Sequence, residues 1–510
     1  MSESTPSIDP LATEHLQSDL TRRSLRGALV AFGSQGIRFA TQFGGTIILA
    51  RLLPPHAFGL IAMIAALTVL LDLVKELGLS AATIQRPTIT QKQVSTLFWI
   101  NTAFGLGLAG LLVLAAPLIA DFYGEPELTA VTTWLAAGFA LSGPAIQHWA
   151  LLRRQMRFGA IALIETGAEV AGMALAIGLA LDGWSYWALV AQRLAVPGLT
   201  LVATWLLCPW RPGLPARDAD LRGFVRFGAS VTGFNLLTAA ARSLDQVLIG
   251  WLWGPAILGF YERAAKLVLV PVNNINAPLY AVAMPALSRL DGQPDRYRAA
   301  FLLMLEKFAM ITMPPAAAAM VTADWVVALL FGPQWHEATI YVACFAAVAI
   351  TLPTTLAVGL LYQSQNRPAE LLRAALVDAA LVAAAVLAGL SFGAAGIAIA
   401  YAASGLALRL PAAFWLAGRK GPVHVRDMVP AILPALATAG VTAASIGLLR
   451  LGGLLGGSSD LGNLAMAAAI SVAVILACFL AIPRSRRALG FLWQLPRLVR
   501  SDRPVSSRLS

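Results

Sequence analysis

The chain has 510 residues, of which 58% are hydrophobic and only 12% are charged. Soluble domains average roughly 45–50% apolar and about 25% charged residues, so this composition indicates a protein that spans a membrane many times. No long polar stretch is present, which excludes a large soluble domain. The net charge of +11 does not indicate nucleic-acid binding, because the arginines lie in short loops and not in one basic patch with interleaved aromatic residues.

The cysteines and the amino-terminal segment suggest no special chemistry. Cys208, Cys344 and Cys478 are too scattered for a disulfide framework or a metal site, so we expect small core residues and no cofactor. Residues 1–27 lack the apolar core of a cleavable signal peptide. Their leucines recur at near-helical spacing among arginines, which predicts a short helix in the membrane interface.

Apolar segments follow one another closely along the rest of the chain. About twenty mostly apolar residues cross a bilayer core. Fourteen segments are long enough: 28–52, 57–84, 96–120, 128–151, 159–181, 184–207, 224–252, 256–287, 300–330, 337–362, 370–391, 394–416, 428–449 and 461–482. We therefore predict an all-α polytopic membrane protein with about 14 transmembrane helices.

The basic residues fall mostly in alternate loops between these segments. Arg153 and Arg154 follow the fourth segment, and the chain after residue 483 is rich in arginine. The intervening loops hold only Arg51 and Arg450. Because positively charged loops stay in the cytoplasm, this alternation predicts that both termini are cytoplasmic.

Two parts of the chain repeat one pattern. Phe32-Gly33-Ser34 matches Phe227-Gly228-Ala229, and Leu53–Gly59 matches Gly254–Gly259. The third and ninth segments also end alike, and an even number of segments separates them, so the repeats should run in the same direction through the membrane. We predict two parallel six-helix lobes around a central cavity, followed by two further helices.

The predicted boundaries follow from these repeats. They are 1–27 for a cytoplasmic segment with the interfacial helix, 28–207 for the N-lobe, 208–223 for a cytoplasmic loop, 224–416 for the C-lobe, 417–482 for the last two helices and 483–510 for a basic cytoplasmic tail.

Several stretches carry a family resemblance. They are a Phe-Gly pair near an arginine, the turn Ala50–Leu60, the run Ser243–Gly250 and the turn Leu258–Tyr261. In these stretches the chain resembles the polysaccharide-transporter branch of the multidrug/oligosaccharidyl-lipid/polysaccharide exporter superfamily. The resemblance extends from residue 24 to about residue 482.

The resemblance implies a function. It implies a flippase of the bacterial inner membrane that moves undecaprenyl-pyrophosphate-linked oligosaccharide repeat units to the periplasmic leaflet by alternating access, for lipopolysaccharide or exopolysaccharide biosynthesis. The implied partners are the lipid-linked oligosaccharide, membrane lipids and other polysaccharide assembly proteins, but no nucleic acid.

Charged residues inside the apolar segments are the candidates for substrate binding, because a charge in a bilayer is costly and needs a reason. The candidates are Arg38, Arg242, Arg263, Lys266 and Asp245. Arginine suits a pyrophosphate because its planar fork offers paired donors. Arg193, Lys307 and Arg409 could line the same cavity or extend to the membrane surface.

A purely structural interpretation is open for the same residues. Asp245 follows Arg242 by three positions and Glu262 precedes Lys266 by four, so each pair shares a helix face and could neutralise itself.

Two glutamates on the fifth segment form a separate candidate site. Glu165 and Glu169 are four residues apart and have no basic neighbour in sequence. Ionising both carboxylates on one buried face costs free energy, so one of them should stay protonated or bind a cation, and a proton or sodium coupling site is one hypothesis. The alternative is that the pair lies near the polar end of its helix.

Other classes of function are less consistent with the sequence. Gly105–Gly110 spells G-x-G-x-x-G but lies inside an apolar segment, where small residues allow close helix packing. No P-loop is present, so we expect no ATPase. A membrane glycosyltransferase or polymerase is disfavoured because the longest outer loop is short, Leu451–Asp460. A drug or peptidoglycan-precursor exporter of the same superfamily remains open, and we predict a transporter, not an enzyme.

Overall fold

The computed structural model describes residues 20–76, 83–84, 89–216, 222–453, 455 and 459–481. Within these helices, the side chains of 20–29, 31–32, 73–74, 76, 222–242, 277–279, 281 and 479–481 are not described. Every regular secondary-structure element in the described part is a helix. Most of the predicted interfacial segment and the predicted basic tail 483–510 lie outside the described residues.

The α-helices of the described part follow in chain order. They are α1 Leu20–Leu52, α2 Pro55–Glu76, α3 Gln91–Tyr123, α4 Glu127–Arg154, α5 Phe158–Leu181, α6 Tyr186–Leu207, α7 Arg222–Ser288, α8 Pro294–Val321, α9 Ala323–Leu330, α10 Ala338–Ser364, α11 Pro368–Gly389, α12 Gly393–Ser404, α13 Leu410–Gly418, α14 Val425–Leu451 and α15 Asp460–Ala481.

These helices confirm the predicted all-α polytopic fold. As far as its residues are described, each of the fourteen predicted segments corresponds to one helix, part of one, or two consecutive helices. Ten described stretches are long and apolar enough to cross a membrane, and one of them, Pro368–Gly418, is 51 residues long and covers two predicted segments. The chain is therefore a multi-pass membrane protein.

Helix α7 is kinked between the predicted segments 224–252 and 256–287. It covers two predicted segments in 67 residues, and Gly254 inside it has φ 78° and ψ −179°. Only glycine adopts a positive φ of this kind without strain. The Trp-Gly-Pro sequence therefore bends one long helix at this position.

The chain divides into two compact units. The first contains the described residues up to 270 together with 330–341 and 372–404, and the second contains 271–329, 342–371 and the described residues from 405 onward. In the second unit, α14 packs against α8, with ion pairs Arg298 to Asp427 and Arg450 to Asp324. The candidate site lies in the first unit.

In the first unit, the two matched turns contact each other reciprocally. A Cβ added at Gly59 would collide with the Pro255 backbone, and one added at Gly259 would collide with the Pro55 backbone. The first turn of α2 and the helix turn after the kink in α7 thus cross with their backbones in direct contact. Small residues permit this approach, so the repeated glycine is a packing requirement in both copies.

A buried tryptophan fixes the ends of the same helices. Trp335 is 0% exposed, and its indole N–H donates to the carbonyl oxygen of Ala50 at 2.7 Å. The rings of Phe58, Phe260 and Phe331 lie 5.3–5.7 Å from the Trp335 ring. This cluster holds the segment 330–341 against the ends of α1, α2 and the second half of α7, the helices that carry much of the site.

The first glycine of the G-x-G-x-x-G stretch lies where α3 packs against α4, as the apolar surroundings of this stretch predict. A Cβ at Gly105 would lie 2.7 Å from the carbonyl oxygen of Phe139, and one at Gly143 would lie 2.9 Å from the carbonyl oxygen of Asn101. Gly107 and Gly110 have no neighbour within 4 Å of an added Cβ. Helices α3 and α4 therefore approach closely on one side of this stretch only.

Candidate functional site

A cavity of about 440 Å³ opens among α1, α2, α5, α6 and the second half of α7. Its charged lining residues are Glu169 on α5, Arg193 on α6, and Glu262, Arg263 and Lys266 on α7. Most of the remaining wall is apolar, with Gln42 and Gln192 as additional polar groups. We call this space the main cavity. A largely apolar wall with a few convergent polar groups is typical of a ligand site.

The charges on α7 form a compact cluster around one carboxylate. The Glu262 carboxylate accepts a hydrogen bond from Arg263 Nε at 2.6 Å and forms an ion pair with Lys266, one turn further along the helix. The Arg263 guanidinium also lies 4.6 Å from the centre of the Phe58 ring. Because one carboxylate faces two cations, the cluster keeps a surplus positive charge. Lys266 is the more accessible cation, with 43% of its side chain exposed against 10% for Arg263.

Arg193 supplies a further cation that is not engaged. It lines the main cavity and also a second, smaller one. Glu262, Arg263 and Asp72 are its charged neighbours, but no hydrogen bond or ion pair joins Arg193 to any residue that the structure describes. A guanidinium carries five N–H donors in a fixed fork. These donors are available to a ligand in either cavity.

The charge balance of the main cavity favours an anion. Three cations, Arg193, Arg263 and Lys266, face the two carboxylates of Glu169 and Glu262. Arginine binds phosphate through paired, charge-assisted hydrogen bonds, which are roughly twice as strong as neutral ones. The arrangement can therefore hold a phosphate or pyrophosphate group beside an apolar wall.

The structure separates the two predicted coupling glutamates. Arg38 on α1 forms an ion pair with Glu165 on α5, and their side chains are 31% and 28% exposed. Neither residue lines the main cavity. Glu169 does line it, and no hydrogen bond or ion pair of Glu169 is found among the described residues. The charge conflict predicted for the pair is relieved because Arg38 balances Glu165.

The remaining predicted residues lie away from the main cavity or outside the described part. Asp245 accepts a hydrogen bond from the Tyr261 hydroxyl at 2.5 Å and another from the Gln246 amide at 2.8 Å. The first bond joins the two halves of α7 across the kink at Gly254. The side chain of Arg242 lies outside the described residues, so its pairing with Asp245 stays a prediction.

Arg193 was predicted only as one of three further basic residues that could line the cavity, and Glu262 only as the partner that neutralises Lys266. One signal was present for Arg193, because it is the only charged residue in the sixth predicted segment, 184–207. The role of Glu262 could not be inferred from spacing. The carboxylate of Glu262 forms ion pairs with both Arg263 and Lys266. The helical spacing of four residues had indicated only the pair with Lys266.

The pair between Arg38 and Glu165 leads to a first prediction. Arg38→Ala and Glu165→Ala should each lower the unfolding temperature of the purified protein. The free energy of unfolding should fall by about 1 kcal/mol or less, because both side chains are partly exposed. The double variant should recover most of that loss, because neither charge is then left without its partner. Thermal unfolding in detergent measures the cycle. Losses that simply add in the double variant would show that the pair is not coupled.

Comparison with solved structures defines the class of fold. The chain is similar to the lipid II flippase MurJ in an inward closed conformation, with a TM-score of 0.70 and 12% identity over 89% of this chain and 98% of that chain. It is also similar to an inward-facing multidrug resistance MATE family transporter of the MOP superfamily, with a TM-score of 0.56 and 14% identity over 80% and 98%. At these identities the likeness shows the fold alone, which is similar to that of MurJ and of the MATE family transporter.

Comparison with known sequences identifies the family. Residues 48–340, more than half of the chain, match the family described as polysaccharide biosynthesis protein, and the chain belongs to that family. This confirms the family resemblance that the sequence motifs indicated.

Curated relatives match over a shared part of their length. The lipopolysaccharide biosynthesis protein WzxC of Escherichia coli K12 is 26% identical over 57% of this chain and 59% of its own length. The teichuronic acid biosynthesis protein TuaB of Bacillus subtilis 168 is 28% identical over 56% and 59%. The succinoglycan biosynthesis transport protein ExoT of Rhizobium meliloti 1021 is 25% identical over 62% and 64%. The chain thus matches about three fifths of the length of these relatives.

Proposed function

We propose that the protein is a flippase that moves an undecaprenyl-pyrophosphate-linked oligosaccharide repeat unit across the bacterial inner membrane by alternating access. The main observation behind the proposal is the cation-lined main cavity, in which Arg193 has no hydrogen bond or ion pair to any described residue. The family and the MurJ-like fold support it. The relatives add support, because their names place them in lipopolysaccharide, teichuronic acid and succinoglycan biosynthesis.

In this proposal the cations bind the pyrophosphate. Arg193 on α6 offers its planar fork, and Lys266 on α7 adds a point charge. Glu262 holds Arg263 and Lys266 in place, so their side chains lose little further freedom when the anion arrives. The apolar wall next to these charges suits the first part of the lipid chain.

We further propose that Glu169 couples transport to an ion. Its carboxylate lies on the wall of a cavity that already holds three cations. Uptake of a proton or a sodium ion at Glu169 removes one negative charge, which strengthens the attraction of the main cavity for an anionic lipid. Release of the ion has the opposite effect. A coupling of this kind is reciprocal, so the anionic lipid also favours ion uptake.

Substitution of this glutamate tests the coupling. Glu169→Gln should still move the lipid-linked oligosaccharide, but its rate should no longer respond to an imposed proton or sodium gradient. Flipping in proteoliposomes with and without each gradient measures the effect. Glu337→Gln is the matched control, because Glu337 is exposed and lies outside the main cavity. A gradient dependence that survives in Glu169→Gln would exclude Glu169 as the coupling residue.

The proposal keeps the predicted topology. Both termini lie in the cytoplasm, the lobes are 28–207 and 224–416, and the protein works with other polysaccharide assembly proteins. No ATP is consumed and no glycosidic bond is formed by this chain.

Deletion of the gene tests the function in cells. The deleted strain should lose its surface polysaccharide and accumulate undecaprenyl-pyrophosphate-linked oligosaccharide, because the repeat unit stays in the cytoplasmic leaflet. A drug exporter would give a different result, with intact polysaccharide and increased sensitivity to drugs. Arrested peptidoglycan synthesis with accumulation of its lipid precursor would identify a peptidoglycan-precursor exporter.

A further inference from the structure

A second cavity, of about 220 Å³, adjoins the main cavity in the first unit. It lies among α2, α4 and α6, and it shares Arg193 and Pro197 with the main cavity. We call it the side pocket. Its volume is about half that of the main cavity, so it suits a single sugar ring and not an extended oligosaccharide.

The wall of the side pocket contains both hydrogen-bond donors and hydrogen-bond acceptors. The Asp72 carboxylate is 54% exposed and lies 2.8 Å from Lys75 Nζ. The hydroxyls of Thr68 and Ser142 donate to backbone oxygens of their own helices, which leaves their oxygens able to accept. Arg193 adds donors at the boundary with the main cavity. A sugar ring needs such a mixture, because each of its hydroxyls both donates and accepts.

We propose that the side pocket binds the sugar that is attached directly to the pyrophosphate. This inference rests on the proposed function. Arg193 lies at the junction of the two cavities, so a phosphate bound there places the next covalently linked group at the entrance of the side pocket. Asp72 then accepts hydrogen bonds from sugar hydroxyls. Thr68 on α2 and Ser142 on α4 accept hydrogen bonds from further hydroxyls of the same sugar.

Gly138 on α4 gives a way to close the side pocket without changing its charges. It lines the pocket, and an added Cβ there would have a single neighbour within 4 Å, Pro197 Cγ at 4.0 Å. Alanine therefore fits at this position, and leucine extends into the pocket. Both residues are better helix formers than glycine, so the helix itself is not weakened.

The test compares lipids with and without one sugar. The full-length protein, purified in detergent, is titrated with undecaprenyl pyrophosphate and with the same lipid carrying one glucose, galactose or N-acetylglucosamine. The wild type should bind at least one sugar-bearing lipid roughly tenfold more tightly than the bare lipid, the effect of about two net hydrogen bonds. Gly138→Leu should lose this advantage and Gly138→Ala should keep part of it. Asp72→Asn, which keeps the shape and removes the charge, should reduce it.

Gly107→Leu is the matched control for Gly138→Leu. Gly107→Leu adds the same side chain at an exposed helix position with no neighbour within 4 Å, and it should keep the full advantage. If the wild type binds bare and sugar-bearing lipids equally, the sugar pocket is wrong while the proposed function stands. An advantage that survives in Gly138→Leu places the sugar elsewhere. If no lipid binds to the wild type, the proposed function fails and the sugar pocket fails with it.

Discussion

Replacement of Arg193 by alanine should reduce polysaccharide export by roughly 100-fold or more while the protein still accumulates in the membrane. The expected size follows from the loss of two or three charge-assisted hydrogen bonds to the pyrophosphate, at about 1.5 kcal/mol or more each. The fold should tolerate the change, because Arg193 has no hydrogen bond or ion pair within the described part of the chain. Removing its side chain therefore leaves no partner without its bond.

Two further variants define the role of Arg193. Arg193→Lys should restore export in part, because lysine keeps the positive charge and loses the planar fork. Arg289→Ala is the matched control, since Arg289 is exposed and lines neither cavity. The readouts are surface polysaccharide per cell and the amount of protein in the membrane. Normal export by Arg193→Ala would remove this residue from the substrate site.

Gly59→Ala should prevent the protein from accumulating in the membrane. An added Cβ would collide with the backbone of Pro255, and this contact cannot be relieved by rotating a side chain. Overpacking a well-packed interior costs typically about 1–3 kcal/mol, and we expect more here because a whole helix crossing has to move apart. Gly259→Ala should have the same effect, since the contact is reciprocal and its Cβ would meet the backbone of Pro55.

The matched control for this prediction is another helix glycine. Gly44→Ala on α1 adds a Cβ with no neighbour within 4 Å, so it should be neutral or slightly stabilising. Protein levels in the membrane and unfolding temperatures measure all three variants. If Gly59→Ala accumulates and unfolds like the wild type, the close crossing of α2 and α7 is wrong.

The sequence predicted the helices well because membrane burial imposes a simple rule on the chain. Segments of about twenty apolar residues are recognisable one by one. The matched turns at Leu53–Gly59 and Gly254–Gly259 also indicated a shared architecture. Their direct contact was not predicted, because nothing in one turn specifies which surface it packs against.

The site was predicted less completely, because its contacts join helices far apart in sequence. The rule that intramembrane charges are functional found Arg263, Lys266 and Glu169, all of which line the main cavity. It could not find the ion pair between Arg38 and Glu165, which are 127 residues apart. The same rule applied to Arg193, but it did not show that this residue lines two adjoining cavities.

Movement of the lipid-linked oligosaccharide across a bilayer can be measured directly in proteoliposomes. Proteoliposomes are loaded symmetrically with undecaprenyl-pyrophosphate-linked oligosaccharide, and its sugars are oxidised from outside with periodate at low temperature, under conditions where the reagent does not enter. Without protein, only the outer-leaflet lipid should react. The wild type should make the whole pool reactive in the absence of any nucleotide, and Arg193→Ala should leave the inner-leaflet pool protected. An inner-leaflet pool that stays protected with the wild type would contradict the assignment of this protein as a flippase.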